Sequence, residues 1–399
     1  MPISLSQTLE RIRSYGRDES SSETSSSPIG KQESILRPVM PELDTVRGLA
    51  ILLVLFYHGF YWQTDLTLYS PFERLFIIAM WAGRLGVNLF FVLSGFLITG
   101  LLLESRSRQD YYKRFYIRRA LRILPAYGLV VLVLALTRYA SLKFLIMSAA
   151  YLANLTPLFG IAIGYSVLWS LAVEEHFYFL WPAAVRNLST RWLLGIGLTI
   201  VALSPVSRLL TFYLGRQNGY VSFQLYDYTW NSADGLACGV ILCILLYEFT
   251  PSRRLLFRIS CTLLLISAAI WALGAPFGIV TRQRPLGAAL QVVPWQFAFT
   301  ALLGLFLLAG TGRYAAMVRL RPLRFFGEIS YGLYLVHLLI FDSYDWFVRR
   351  YGWQPIHAGG RFGALTFRFL CAGIAATVVA YFSRRYFEEP FLRLKNRMT

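Results

Sequence analysis

Apolar residues in this chain fall into long runs. Residues 47–60, 85–103, 262–273 and 298–309, each with its flanks, approach the roughly 20 residues a helix needs to cross a bilayer. Gly, Ser, Asn and Tyr interrupt several runs, which softens their ends without changing their class. Residues 143–165 are also apolar. Counted as a full span, they would carry Arg186 and Arg191 to the outside and invert everything downstream. They are expected to form a re-entrant or outward-lying segment whose backbone is covered by protein or water. The pattern predicts an all-α integral membrane protein of about ten transmembrane helices.

Composition agrees with this pattern. Of 399 residues, 56% are hydrophobic and 15% charged, too apolar for a soluble globule of this size. The net charge of +18 raises nucleic acid as a partner, but its distribution points to membrane topology instead. Basic residues crowd residues 11–47, 106–122, 253–258, 313–324 and 384–397. The intervening loops hold few, such as Arg74 and Arg84, or Arg282 and Arg284. Dense groups on the cytoplasmic side place both termini there. None of the four cysteines, Cys238, Cys243, Cys261 and Cys371, has zinc-ligand spacing, so no metal is expected. Residues 1–40 contain the Ser-rich stretch DESSSETSSSPIGKQES and no secretory signal, and are expected to be a disordered cytoplasmic tail. Residues 41–391 form the membrane domain and 392–399 a basic cytoplasmic tail. On that arrangement no appended soluble catalytic domain is expected, and no internal repeat is visible.

Candidate chemistry begins in LDTVRGLAILLVLFYHGF, residues 43–60. On a helix, Arg47 and His58 share a face about 16 Å apart along the axis, and Asp44 lies one turn before Arg47. An ionisable ring inside a span is costly and marks a pathway or site, and His suits a general base. A ring bonded to a neighbouring helix is the structural alternative. In residues 83–104, Gly86, Gly95 and Gly100 with Ser94 offer close-packing surfaces, and Asn88 is polar at the outer end. Lys113, Arg114, Arg118, Arg119 and Arg122 lie on an amphipathic stretch, where Arg118 and Arg122 can face one anion. Charge alone favours lipid headgroups or topology there. In LWSLAVEEHFYFLWP, which contains Trp169, the adjacent Glu174 and Glu175 require a basic partner or polar cavity. His176 beside them can serve as a local hydrogen-bonding group. In FGEISYGLYLVHLLIF, Ser330, Tyr334 and His337 share a face beside Tyr331. Glu388 and Glu389 close the last span, where an ion pair is the default.

The order of these stretches resembles the membrane-bound acyltransferase family 3, the O-antigen-acetylase-like integral membrane proteins, over residues 41–391. Leu43, Asp44, Arg47, Gly48 and His58 match its opening pattern. Residues 83–98, Arg118 to Pro125, Trp169 to Pro182, Ile329 to His337 and Glu388 to Phe391 match the rest in order. Asn88 stands where the family often has Asp, so no acid role is carried onto it. The resemblance implies an O-acyltransferase of a bacterial cytoplasmic (inner) membrane. It would move an acyl group, usually acetyl, from cytoplasmic acyl-CoA to a hydroxyl of an extracytoplasmic carbohydrate or glycan, with no permanently bound cofactor. It makes His58 the catalytic histidine and Arg47 its partner, with Arg118 and Arg122 as the cytoplasmic arginine pair. The spacing fits such a donor, with its phosphates at Arg118, Arg119 and Arg122, its arm along the first span and its thioester near His58. Glu174 or Glu175 is then expected to orient the His58 ring. Two other classes compete. A transporter of a small anionic or acylated substrate also explains charges within spans, but it moves substrate without releasing CoA. A receptor or scaffold gives no reason for basic, histidine and glutamate groups along one path.

Overall fold

The computed structural model describes residues 35–37, 39–62, 64–217, 226–352 and 360–398. The Ser-rich tail lies almost wholly outside these residues. Among the described residues there is no strand. Nine helices among the described residues are long and apolar enough to cross a membrane. We label the crossing helices α1 (Pro41–Phe56), α2 (Gly86–Ser105), α3 (Tyr111–Leu136), α4 (Leu168–Asn187), α5 (Thr190–Gln217), α6 (Thr229–Glu248), α7 (Arg253–Gly274), α8 (Val293–Ala309), α9 (Arg321–Tyr351) and α10 (Gly360–Phe382). The tenth, α4, has 20 residues, about 30 Å; Glu174, Glu175 and His176 lower its hydropathy. The chain is an integral membrane protein of about ten helices, as its apolar pattern predicts.

Local signals start these helices where they start. Proline occupies the first turn of α1, α8 and α9, where its missing N–H is no loss. Ser252 caps α7 by accepting from the Leu255 N–H at 3.2 Å. Ser141 likewise caps a helix of only 8 residues, Leu142–Ala149, far too short to cross. That helix breaks at Tyr151, whose φ is 57°, and a 3-10 turn, Ala153–Phe159, follows. Tyr127 donates to the Ser148 carbonyl at 2.6 Å, and the Asn154 amide to Thr229 Oγ1 at 2.9 Å. The doubtful apolar stretch thus folds back as a plug between α3 and α6.

Helix α1 is the centre of the bundle, packed between α2 and α9. A Cβ on Gly48 would lie 1.8 Å from the Leu323 carbonyl oxygen, and one on Gly327 2.0 Å from that of Asp44. The α1 and α9 backbones therefore touch, which only glycine allows. The α2–α6 seam repeats the device: a Cβ on Gly95 would lie 2.0 Å from the Leu236 oxygen. Two buried ion pairs pin the ends. Glu42 pairs with Arg37 and Arg319 on the face where α1 begins. Arg208, wholly buried, holds Asp234 at 2.9 Å and donates to the Asn231 and Ala289 carbonyls near the opposite face.

Candidate functional site

His58 lies past the end of α1, in a π turn over Tyr57–Tyr61 closed by the Trp62 N–H on the Tyr57 carbonyl at 2.9 Å. The turn inserts a residue, so the side chains after Phe56 rotate away from the α-helical register, a distortion frequent at functional sites. His58 is partly exposed and rests among the rings of Tyr57, Trp62 and His337. Its Nδ1 is 3.0 Å from the Val54 carbonyl oxygen and 3.2 Å from His337 Nε2. His337 is fully buried, and its own Nδ1 faces the carbonyls of Leu333 at 3.1 Å and Tyr334 at 2.8 Å.

Carbonyl oxygens only accept, so these contacts fix the tautomers. Nδ1 of His337 carries its proton and donates to the backbone, leaving Nε2 as an acceptor. Nδ1 of His58 likewise carries a proton, shared between Val54 and His337 Nε2. His58 Nε2 is left with a bare lone pair. The polar partner of the His58 ring is therefore a second imidazole.

That arrangement corrects one expectation. Glu174 and Glu175 do not orient His58. Glu175 holds Arg119 at 3.1 Å, and Glu174 lies 4.0 Å from the same guanidinium while accepting from Ser94 at 2.8 Å. The Arg119 guanidinium also stacks 3.0 Å from the Tyr178 ring centroid. A carboxylate buried within a span takes the nearest cation, and α3 supplies it. Arg119 is thus tied to α4 within the bundle. His176 instead bonds Thr229 at 2.7 Å. A cavity of about 480 Å³ lies against this network, lined by Tyr116, Arg119, Tyr151, Glu175, His176 and Phe179.

The basic stretch divides. Arg118 feels Arg108, Arg114 and Asp110 at the start of α3, whereas Arg122 feels Arg47, Arg119 and Arg384. Arg122 is exposed, and no described carboxylate lies within ion-pair distance of it. Arg47 is held by Asp44 at 2.6 Å, as expected. Arg384 opens a second π turn, Ser383–Glu388, and pairs with Glu389 at 3.2 Å. Arg47, Arg122 and Arg384 thus gather positive charge where α1 begins, one helix length from His58.

The other anticipated residues have partners of their own. Ser330 donates to the Gly327 carbonyl at 2.8 Å, and Tyr331 to the Ile123 carbonyl at 3.0 Å. Trp169 packs edge-on against Phe91, and buried Glu388 accepts from Ser383 at 3.3 Å. Asn88 is partly exposed near the start of α2. Sequence reasoning missed Arg84, Asp227, Asp345 and Arg368, each a charge beside or within an apolar run. Arg84 donates to Gln291 at 2.7 Å beside Trp81, and its Nε is buried without an acceptor. Asp227 precedes α6, and desolvation pushes its carboxyl up to about 7.

The chain is similar to known proteins over most of its length. The family model described as "Acyltransferase domain" matches residues 40–385. The peptidoglycan O-acetyltransferase OatA of Listeria monocytogenes is 29% identical over 336 residues, 75% of this chain and 49% of that protein. A Staphylococcus aureus protein provisionally named an O-acetyltransferase is 28% identical over 385 residues, 88% of this chain and 57% of its own length. The chain spans about half the length of these curated relatives. No solved structure matches it. With the family match running from the start of α1 into the second π turn, the chain belongs to the acyltransferase 3 family.

Proposed function

We propose that this protein transfers an acetyl group from cytoplasmic acyl-CoA to a hydroxyl of an extracytoplasmic cell-envelope carbohydrate, with peptidoglycan as the first acceptor to test. The observation that carries the reading is the bare Nε2 of His58, fixed by His337 at one end of α1 while guanidinium groups gather at the other. The acyltransferase name of the family and the O-acetyltransferase names of its relatives support the same chemistry.

In this reading the donor's phosphates dock at Arg122, with Arg47 and Arg384 beside it, because guanidinium forks match phosphate. The pantetheine arm runs along α1, whose eleven-residue rise from Arg47 to His58 is about 16 Å. The thioester carbonyl then meets the acceptor hydroxyl at His58. Nε2 takes the hydroxyl proton as the oxygen attacks, and the positive charge formed on the ring is shared through Nδ1–H with His337 Nε2 and the Val54 carbonyl. Collapse breaks the C–S bond, and the thiolate takes the proton back from Nε2. The products are an ester and CoA thiol. Cytoplasmic termini, a Ser-rich tail over residues 1–40 and a basic tail over residues 392–399 complete this arrangement.

The experiment is thiol release by purified protein given acetyl-CoA, with and without envelope glycan, read beside ester formation on the glycan. His58→Ala should abolish both while leaving expression normal. Full transfer by that variant would end the proposal, and substrate movement without thiol release would make the protein a transporter.

A further inference from the structure

Helix α10 reaches the π turn at two points. Phe369 packs against its side, with ring centroids 4.6 Å from Phe60 and 5.0 Å from Phe56. It lies so close to Gly59 that a Cβ there would be 2.3 Å from the Phe369 ring. Its neighbour Arg368 addresses the backbone. Nη1 donates to the Gly59 carbonyl at 2.9 Å and reaches the His58 carbonyl at 3.4 Å. The rest of the guanidinium is taken by Asp345 of α9, Nε on Oδ1 and Nη2 on Oδ2, both at 2.7 Å.

A π turn closes its hydrogen bonds one residue later than an α-helix, and where it ends it leaves carbonyls without an intrahelical partner. A buried carbonyl needs a donor. Arg368 supplies it from another helix. The fork on Asp345 fixes the plane of the guanidinium, so the capped carbonyls, one of them belonging to His58, are fixed with it. Arg368 stands 4.9 Å from the Phe341 ring, which limits its swing.

We propose that Arg368, aligned by Asp345, is a positioning residue for the reaction: it holds open the π turn that aims His58 Nε2 at the acceptor hydroxyl. Neither residue touches substrate. The inference rests on His58 being the base, as read above.

The test replaces both charges together, Arg368→Met with Asp345→Leu, so that no charge is left buried alone. Without the cap the turn relaxes towards α-helical register and Nε2 moves by an ångström or more, a displacement worth on the order of 10–100-fold in rate. The expected result is a kcat fall of that size, with KM for acetyl-CoA within about twofold and a thermal midpoint close to that of the wild type. Arg368→Lys, which keeps one donor, should recover part of the rate. A second readout does not depend on turnover. The chain has 4 histidines, so ¹⁵N-labelled ring signals can be assigned by single replacements. The double variant should shift the His58 signals and leave those of His176 in place. Unchanged kcat and ring signals would overturn the proposal. So would a rate loss matched by unfolding, or one expressed in KM. Failure of the underlying reading is distinguishable, because it would appear as a fully active His58→Ala whatever the ring signals do.

Discussion

Replacing His337 with leucine isolates the role of the second imidazole. In the resting state His58 Nδ1–H has two acceptors, the Val54 carbonyl at 3.0 Å and His337 Nε2 at 3.2 Å. Leucine removes one of them and leaves the other, so the tautomer with a bare Nε2 survives. What changes is the transition state, where the ring becomes an imidazolium and its Nδ1–H bond becomes charge-assisted. Such a bond contributes about 1.5–3 kcal/mol. At about 1.4 kcal/mol per decade, kcat should fall roughly 10–100-fold. The fold should tolerate the change: the two carbonyls that His337 caps lie inside α9, where the helix already satisfies them, and leucine nearly fills the space. The assay is steady-state CoA release against acetyl-CoA at saturating glycan, with KM for the donor expected within about twofold. His337→Gln should be more active than His337→Leu, because its amide oxygen can stand near the lost Nε2. A kcat within threefold of wild type would remove His337 from the mechanism. A loss as complete as that of His58→Ala would make it a proton carrier rather than an orienting group.

Three further outcomes follow from the same structure. Arg122→Gln should raise KM for acetyl-CoA about 10–100-fold, the loss of a charge-assisted contact, and leave S-acetylpantetheine, which lacks phosphates, unaffected; equal losses with both donors would refute the phosphate assignment. Gly95→Val should destabilise the protein by about 3 kcal/mol or more, because its Cβ meets backbone on α6 that cannot move aside, while Gly100→Ala, 3.5 Å from Cys243 Sγ, should leave the melting temperature nearly unchanged. For Asp227, the folded carboxyl titrates about 7, above its unfolded value near 3.9, so its favourable contribution is complete below pH 4 and is lost as pH rises to 7. Asp227→Asn should therefore flatten that part of the stability profile and raise stability at pH 8 by about 2 kcal/mol, discounted for partial solvent screening; a thermal-shift profile that stays parallel to wild type would refute it.

Much of the architecture was legible because lipid makes it so. Spans of about 20 apolar residues, and Arg186 and Arg191, which a full crossing by residues 143–165 would carry outside, were enough to give about ten helices and one re-entrant or outward-lying segment. The Asp44–Arg47 pair followed from helical spacing alone. The site was legible only in part. His58 and His337 each stood out as rings inside spans, but nothing local says that two residues far apart in sequence come within 3.2 Å. Glu174 and Glu175 were given to His58 because a base needs an orienting group, yet Arg119 on the adjacent helix was nearer. The π turns were invisible, since periodicity assumes 3.6 residues per turn throughout, and the turn at Tyr57–Tyr61 re-aims His58. Arg368 did leave a signal: it is a lone guanidinium in the apolar stretch 362–382, and by the cost of burying charge it required a partner such as Asp345.

The contact of bare backbones at Gly48 and Gly327 has a mechanical consequence. His58 is carried on α1 and His337 on α9, and these two helices are welded along their shared stretch. Whatever rocking admits the donor or discharges the ester must leave the spacing of the rings untouched, as two teeth on one jaw keep their gap while the other jaw swings. Motion is then left to helices that face mostly lipid and do not touch the rings, such as α7, whose apolar side slides at little energetic penalty.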